Sequence, residues 1–177
     1  NEGALVQTPL AAAQAAREAI GVARQTGDTR YWGRAQASLG PWWDKPNAPT
    51  ELAILQSTVQ QGRHEFGPAR QVLTNALKRD PDNAQGWLNL AALERLTARY
   101  PEALQACGAV KNAGQNLYAA ACELETRSLQ GQHAQARSGF KTLLADFKQD
   151  DQRGWVYSLL AESEERAGKD AAALDAY

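Results

Sequence analysis

QGWLNLAALERLTARYPEALQAC, residues 85–107, is the stretch from which the rest of the chain can be read. Its apolar residues fall at Trp87, Leu90, Ala91 and Leu93, nearer a helical period than the alternation of a strand. Pro101 suits a first helical turn, where its missing N–H has no partner to lose, so Tyr100-Pro101-Glu102-Ala103 opens a second helix. The unit is therefore a pair of antiparallel helices.

The same unit recurs. Ala35, Ala69 and Ala103 stand 34 residues apart, each followed four residues later by Leu39, Leu73 and Cys107. Trp32, Phe66 and Tyr100 precede those alanines by three residues, and Trp42, Ala76 and Val110 follow them by seven. The pattern returns at Ala136, Phe140 and Leu143 after 33 residues, and at Ala173 and Tyr177 after 37. Self-similarity at such a period marks supersecondary units that bury their apolar faces against their neighbours. It predicts one all-α domain over 1–177, in repeats of about 9–49, 50–83, 84–116, 117–150 and an incomplete 151–177. The expected helices are 9–26, 30–43, 50–62, 66–79, 83–97, 101–113, 116–130, 133–148, 151–167 and 170–177. Gly62-Arg63-His64, Gln130-Gly131-Gln132-His133 and Asp80-Pro81-Asp82-Asn83 read as turns.

These residues resemble the tetratricopeptide repeat (TPR), whose pattern is W-x2-L-G-x2-Y, then A-x3-F, then P. Trp87-x2-Leu90-Ala91 with Ala103-x3-Cys107 matches one repeat, and Ala69-x3-Leu73, Ala76 and Pro81 match the half before it. Tyr157-x2-Leu160-Ala161, Gly168 and Ala173-x3-Tyr177 match a third. Ala76, Ala91 and Ala103 would let helix backbones approach, with Trp87 and Phe140 filling the space beside them. The resemblance covers residues 16–177 and implies a right-handed α-solenoid of stacked antiparallel helix pairs, about four and a half repeats long. The first repeat departs most, with Ala19, Val22 and Ala23 in its first-helix slots and a long linker over 44–49, while the fourth has Ala120 where a large aromatic is usual. The stretches 28–32 and 41–43 also resemble exported bacterial repeat proteins of unassigned function, which implies a periplasmic or otherwise exported location against a cytoplasmic alternative.

Composition bounds the partners. The 177 residues are 44% hydrophobic and 22% charged, with 19 Lys and Arg against 20 Asp and Glu. A net charge of −1 lacks the electrostatic footprint of a nucleic-acid binder or a polybasic membrane anchor. No apolar run approaches a membrane span, so direct membrane insertion is not expected, and no signal segment opens the chain. The start at Asn1 and the lack of Met are expected of a processed or trimmed piece. A chain ending inside a second helix would leave Leu174 and Tyr177 uncovered, which predicts a homotypic contact through that end.

Catalytic chemistry is not expected. Both histidines, His64 and His133, fall in turns within a repeat, without the convergent ligands of a metal site or a base beside Ser or Cys. Glu162, Glu164 and Glu165 read as a solvated helix face. There is no Gly-rich phosphate loop, HExxH or GxSxG, and no cofactor is implied. Cys107 and Cys122 stand about seven residues either side of a turn at Gly114-Gln115, at similar heights on two antiparallel helices. Either they form a disulfide, which would imply an oxidising compartment, or each fills a small core slot as a buried thiol.

The resemblance also places a binding groove along the first helix of each repeat, at its second and ninth positions. Carried over, this gives Arg17 and Arg24, Glu51 and Thr58, Gln85 and Ala92, Tyr118 and Glu125, and Trp155 and Glu162. The stripe is basic at one end and acidic at the other: residues 1–115 hold 12 basic and 10 acidic side chains, and residues 116–177 hold 7 and 10. Trp155 has a second reading as the large core residue of its repeat. Relatives that grip chaperone C-termini use Lys, Asn, Asn, Lys and Arg at positions that here hold Ile54, Thr58, Asn89, Tyr118 and Cys122, of which only Asn89 fits, so chaperone-tail capture is not expected. The function expected is a non-catalytic scaffold that binds a protein or extended peptide. The alternatives are a regulatory or substrate-presenting arm of a larger enzyme and a small-peptide receptor.

Overall fold

Ala35, Ala69, Ala103 and Ala136 are all fully buried, and the residues four positions on, Leu39, Leu73, Cys107 and Phe140, are 3% exposed or less. A methyl side chain at a helix crossing lets two backbones approach, and the larger residue one turn later fills the groove beside it. The computed structural model describes residues 7–147 and 149–175, with the side chains of 172–175 excepted. Among the described residues there are nine α-helices and no strand: α1 (Pro9–Thr26), α2 (Arg30–Ser38), α3 (Thr50–Gly62), α4 (Phe66–Arg79), α5 (Ala84–Leu96), α6 (Tyr100–Asn112), α7 (Asn116–Leu129), α8 (His133–Asp146) and α9 (Asp150–Asp175). The architecture is all-helical and repeat-like, with packed adjacent helices. It divides into two compact units, Asn1–Leu93 and Glu94–Tyr177.

In the first unit α1 packs on α2 and α3, and α3 packs on α4. Thr8 caps α1 by accepting from the Ala11 N–H at 3.1 Å, and Gly27, at φ 70°, ends it in the left-handed conformation. Ala13, Ala16, Ile20, Leu39, Leu52 and Val59 form the core here, with Trp32, Trp42 and Trp43 packed on its edge. The long linker is tied down: Gln56 Nε2 donates to Asp44 Oδ1 at 2.6 Å, and Arg79 donates to the Ala48 carbonyl at 3.1 Å. In the second unit α7 packs on α6, α8 and α9. Leu117, Ala121, Phe140, Leu143, Val156 and Leu159 build its core.

The turns repeat with the helices. Five residues before Ala69, Ala103 and Ala136 stand His64, Ala98 and Gly131, with φ of 62°, 58° and 86°. After each, the next N–H reaches back five residues: Glu65 to Gln60 at 2.8 Å, Arg99 to Glu94 at 2.7 Å and Gln132 to Arg127 at 3.0 Å. This closes the helix ends as a glycine-based cap does, yet only one of the three positions is glycine. In Gly62-Arg63-His64, His64 takes the left-handed position. Gly62 answers to packing instead, because a Cβ there would run into the Trp32 ring.

Four expectations are corrected. The helix expected over 30–43 stops at Ser38 and becomes a 3-10 turn over Gly40–Trp42, because Pro41 lacks an N–H and restricts the residue before it. The break expected at Gly168 is absent and α9 runs on to Asp175. One glycine costs a helix only about 1 kcal/mol, and Glu162–Arg166 and Glu165–Lys169 pairs span the region. Trp87 is half-buried rather than a core residue: in the first turn of α5, its indole N–H donates to the Pro81 carbonyl at 2.7 Å. In the last repeat the buried residues are Val156, Leu159 and Ser163 rather than the expected Tyr157, Leu160 and Ala161, and Tyr157 is 52% exposed. The uncovered end expected at Leu174 and Tyr177 lies outside the described side chains.

Replacing Ala98 by Gly removes a left-handed alanine and is expected to raise stability by about 1 kcal/mol. Gly62→Ala is expected to lower it by about 1–3 kcal/mol through the clash with Trp32, although alanine is the better helix former. Urea unfolding of the two variants checks the opposite signs.

Candidate functional site

The first helix of each pair carries the stripe, and seven residues are close to two helical turns, so its two members on one helix share a face. In the first unit Arg17, Arg24, Glu51, Thr58, Gln85 and Ala92 all line one concavity of about 730 Å³. Its apolar lining is Ile20, Ile54, Leu55 and Ala92, and its other polar groups are Gln61, Asn83 and Asn89. Volumes of a few hundred to about a thousand Å³ are usual for ligand clefts. Arg17 pairs with Glu51, both about half exposed, so the pair contributes little to stability. Gln85 Nε2 donates to Asn89 Oδ1 at 2.8 Å. The Arg24 side chain is exposed and makes no hydrogen bond or ion pair among the described residues. Gly21 also lines the concavity, and a Cβ there would meet no atom within 4 Å. A mid-helix glycine costs about 1 kcal/mol against alanine, and nothing in its surroundings requires it.

In the second unit Tyr118 and Trp155 meet, ring centroids 5.2 Å apart, each rather more than a third exposed. Trp155 is thus a surface aromatic rather than a core residue. The acidic members are not free charges. Glu125 pairs with Arg95 at 3.1 Å, both side chains under 20% exposed, and Glu162 lies 3.7 Å from Arg166. Burial pushes the Glu125 carboxyl above its ordinary 4.5; Arg95 opposes this, Glu162 adds to it and Arg166 lowers it. Arg95 also approaches Cys122 Sγ and Thr126 Oγ1, both at 3.5 Å. Cys107 and Cys122 form a disulfide with Cα atoms 5.6 Å apart, and both are 3% exposed.

His133 is more enclosed than a surface turn residue, its side chain 15% exposed. Its Nε2 is 2.7 Å from Asp170 Oδ2 and its Nδ1 is 3.5 Å from Ser128 Oγ. Those are the residue types of a nucleophilic triad, an arrangement missed in the sequence. The signal was there: His133 precedes Ala136 by three, the position held elsewhere by Trp32, Phe66 and Tyr100. Ser128 is only 1% exposed, though, and its Oγ is already 2.9 Å from Ser163 Oγ and accepts from Arg166 at 3.1 Å. These contacts fasten α9 to α7 and α8. His64 is exposed and packs edge-on to Phe66. Glu164 is not a lone solvated acid, since Arg137 bonds it at 2.7 Å and holds its carboxyl below the usual range. Among the described residues no three His, Cys, Asp or Glu side chains gather to hold a metal, and no helix is long and apolar enough to cross a membrane. No known family model matches the chain, and no curated protein matches it.

Two outcomes follow from the second unit. Replacing both cysteines by serine should lower stability by about 3 kcal/mol, as expected for opening a loop with a sequence separation of 15. Intact protein should take up alkylating reagent at two sites only after reduction, and two free thiols in protein from an oxidising compartment would contradict the bond. For Glu125, a folded carboxyl titrating above 4.5 makes the native state bind its proton more tightly than the unfolded chain. Its ionised form therefore costs stability at neutral pH, and that cost disappears as pH falls through the raised value towards 4.5. The stability of the parent relative to Glu125→Gln should rise over that window, as measured by denaturant unfolding across pH.

Proposed function

We propose that this chain is a non-catalytic interaction scaffold, a right-handed α-solenoid of TPR-like repeats, and that the concavity on α1, α3 and α5 receives an extended peptide or protein segment. The observation that carries this reading is the lining of that concavity, an apolar floor with carboxamides around it. An extended segment leaves its own backbone N–H and C=O groups unpaired. The side chains of Gln61, Gln85 and Asn89 offer both donors and acceptors to such groups, while Ile20, Ile54 and Leu55 take apolar side chains. The 34-residue register and its buried alanines support the repeat class. An exported, periplasmic location belongs to the same proposal and is supported by the Cys107–Cys122 bond, since disulfides persist in oxidising compartments.

The test uses Gly21, where a larger side chain projects into open space. Gly21→Leu should fill the groove while improving helix propensity, so a loss of binding cannot be put down to unfolding. Peptides selected on the parent protein should shift backbone amide resonances of α1, α3 and α5, and Gly21→Leu should abolish those shifts. Peptides that instead perturb α2 and α4, or bind Gly21→Leu unchanged, would sink the reading.

A further inference from the structure

The groove contains three charged side chains, two of which cancel. Arg17 is satisfied by Glu51, which leaves the charge of Arg24 uncompensated within the lining. Gly21 is one turn before Arg24 on the same face of α1, so open space over Gly21 adjoins the guanidinium. Ile20, Ile54 and Leu55 supply apolar surface in the same lining. One uncompensated cation is too little for a polyanion such as a nucleic-acid strand, whose binding requires several. It does complement a single carboxylate, and guanidinium groups bind carboxylates through paired, charge-assisted hydrogen bonds.

We propose that the groove selects an extended segment of a partner protein in which one Asp or Glu side chain lies next to an aliphatic residue. The carboxylate meets Arg24, and the aliphatic side chain occupies the space over Gly21. The carboxamides Gln85 and Asn89 bond to each other through one donor and one acceptor, which leaves three N–H groups and three lone pairs on that pair for the segment's backbone. This inference rests on the peptide-groove reading above and assigns the chemistry that reading leaves open.

The experiment presents two positional-scanning libraries of hexapeptides, one end-capped and one with free C-termini, to the parent protein and to Gly21→Leu, Arg24→Gln and Arg24→Glu. The parent should enrich Asp or Glu beside Leu, Ile or Val. The selected peptide should bind about tenfold tighter than its Asn or Gln counterpart in fluorescence anisotropy, a difference of about 1.4 kcal/mol. That ratio should fall to about one in Arg24→Gln, and Arg24→Glu should enrich Lys or Arg at the same position. Because Arg24 is exposed and stands in the last turn of α1, melting temperatures of its variants should fall only slightly, Arg24→Glu more than Arg24→Gln. If the library is enriched without an acidic position, or the acid-to-amide ratio survives Arg24→Gln, this inference fails while groove binding stands. A library that binds only with free C-termini also overturns it, since the carboxylate would then be terminal. No enrichment over Gly21→Leu removes the peptide-groove reading itself, and this inference with it.

Discussion

Close approach of helix backbones at four buried alanines is the constraint on which the rest of the structure depends. Any larger side chain at Ala35, Ala69, Ala103 or Ala136 would force two packed helices apart, because interiors at crystal-like density have no slack for an extra methylene. Once the crossing is set, the residue one turn later has a defined space to fill, and the residue three positions before lies at the mouth of the hairpin. That mouth is where Trp32, Phe66, Tyr100 and His133 are found, all half-buried. The same spacing brings the left-handed turn residues to His64, Ala98 and Gly131. Turn geometry is thus imposed by the packing of the hairpin, strongly enough for histidine and alanine to occupy a conformation that favours glycine.

This hierarchy explains what could be read from the sequence. Seven of the helices lie close to the expected ranges, bounded by local signals such as Pro9, Gly27, Pro101 and Gly131, and of these α4, α6 and α8 each bury a residue of the alanine register. The last repeat departs from expectation where those signals weaken. Gly168 is a lone glycine among good helix formers, and the 37-residue step leaves two candidate core positions, so only packing decides that Val156 rather than Trp155 or Tyr157 turns inward. Trp87 stays half-buried for a related reason. A motif gives the residue type at a slot, whereas a place in the first turn of a helix lets the indole N–H find a carbonyl and the ring stay half-exposed.

The candidate site was legible in position and not in charge. The resemblance to the tetratricopeptide repeat assigns Arg17, Arg24 and Gln85 to a groove, and all three line the concavity in the first unit. Counting charges along that stripe suggested a basic end and an acidic end, but ions in a folded chain are compensated locally and from other elements. Glu51 cancels Arg17, and Arg95, which the stripe omits, cancels Glu125. Gly21 and Asn89 escape any argument from charge, because one matters by its missing side chain and the other by its carboxamide.

The disulfide belongs to the same packing logic. The slot one turn after the buried alanine holds Leu39, Leu73 and Phe140 in three of the hairpins, and in α6 it holds the much smaller Cys107. A smaller side chain gives up apolar burial worth about 1–2 kcal/mol at roughly 25 cal/mol per Å². The bond to Cys122 joins α6 to α7 at that level, and closing its loop restricts the unfolded chain by about 3 kcal/mol. The covalent link therefore more than offsets the lost packing in the layer that also carries the buried Arg95–Glu125 pair. A desolvated ion pair contributes little or negative net stability, so the bond between α6 and α7 secures the layer in which both the undersized Cys107 and the Arg95–Glu125 pair lie.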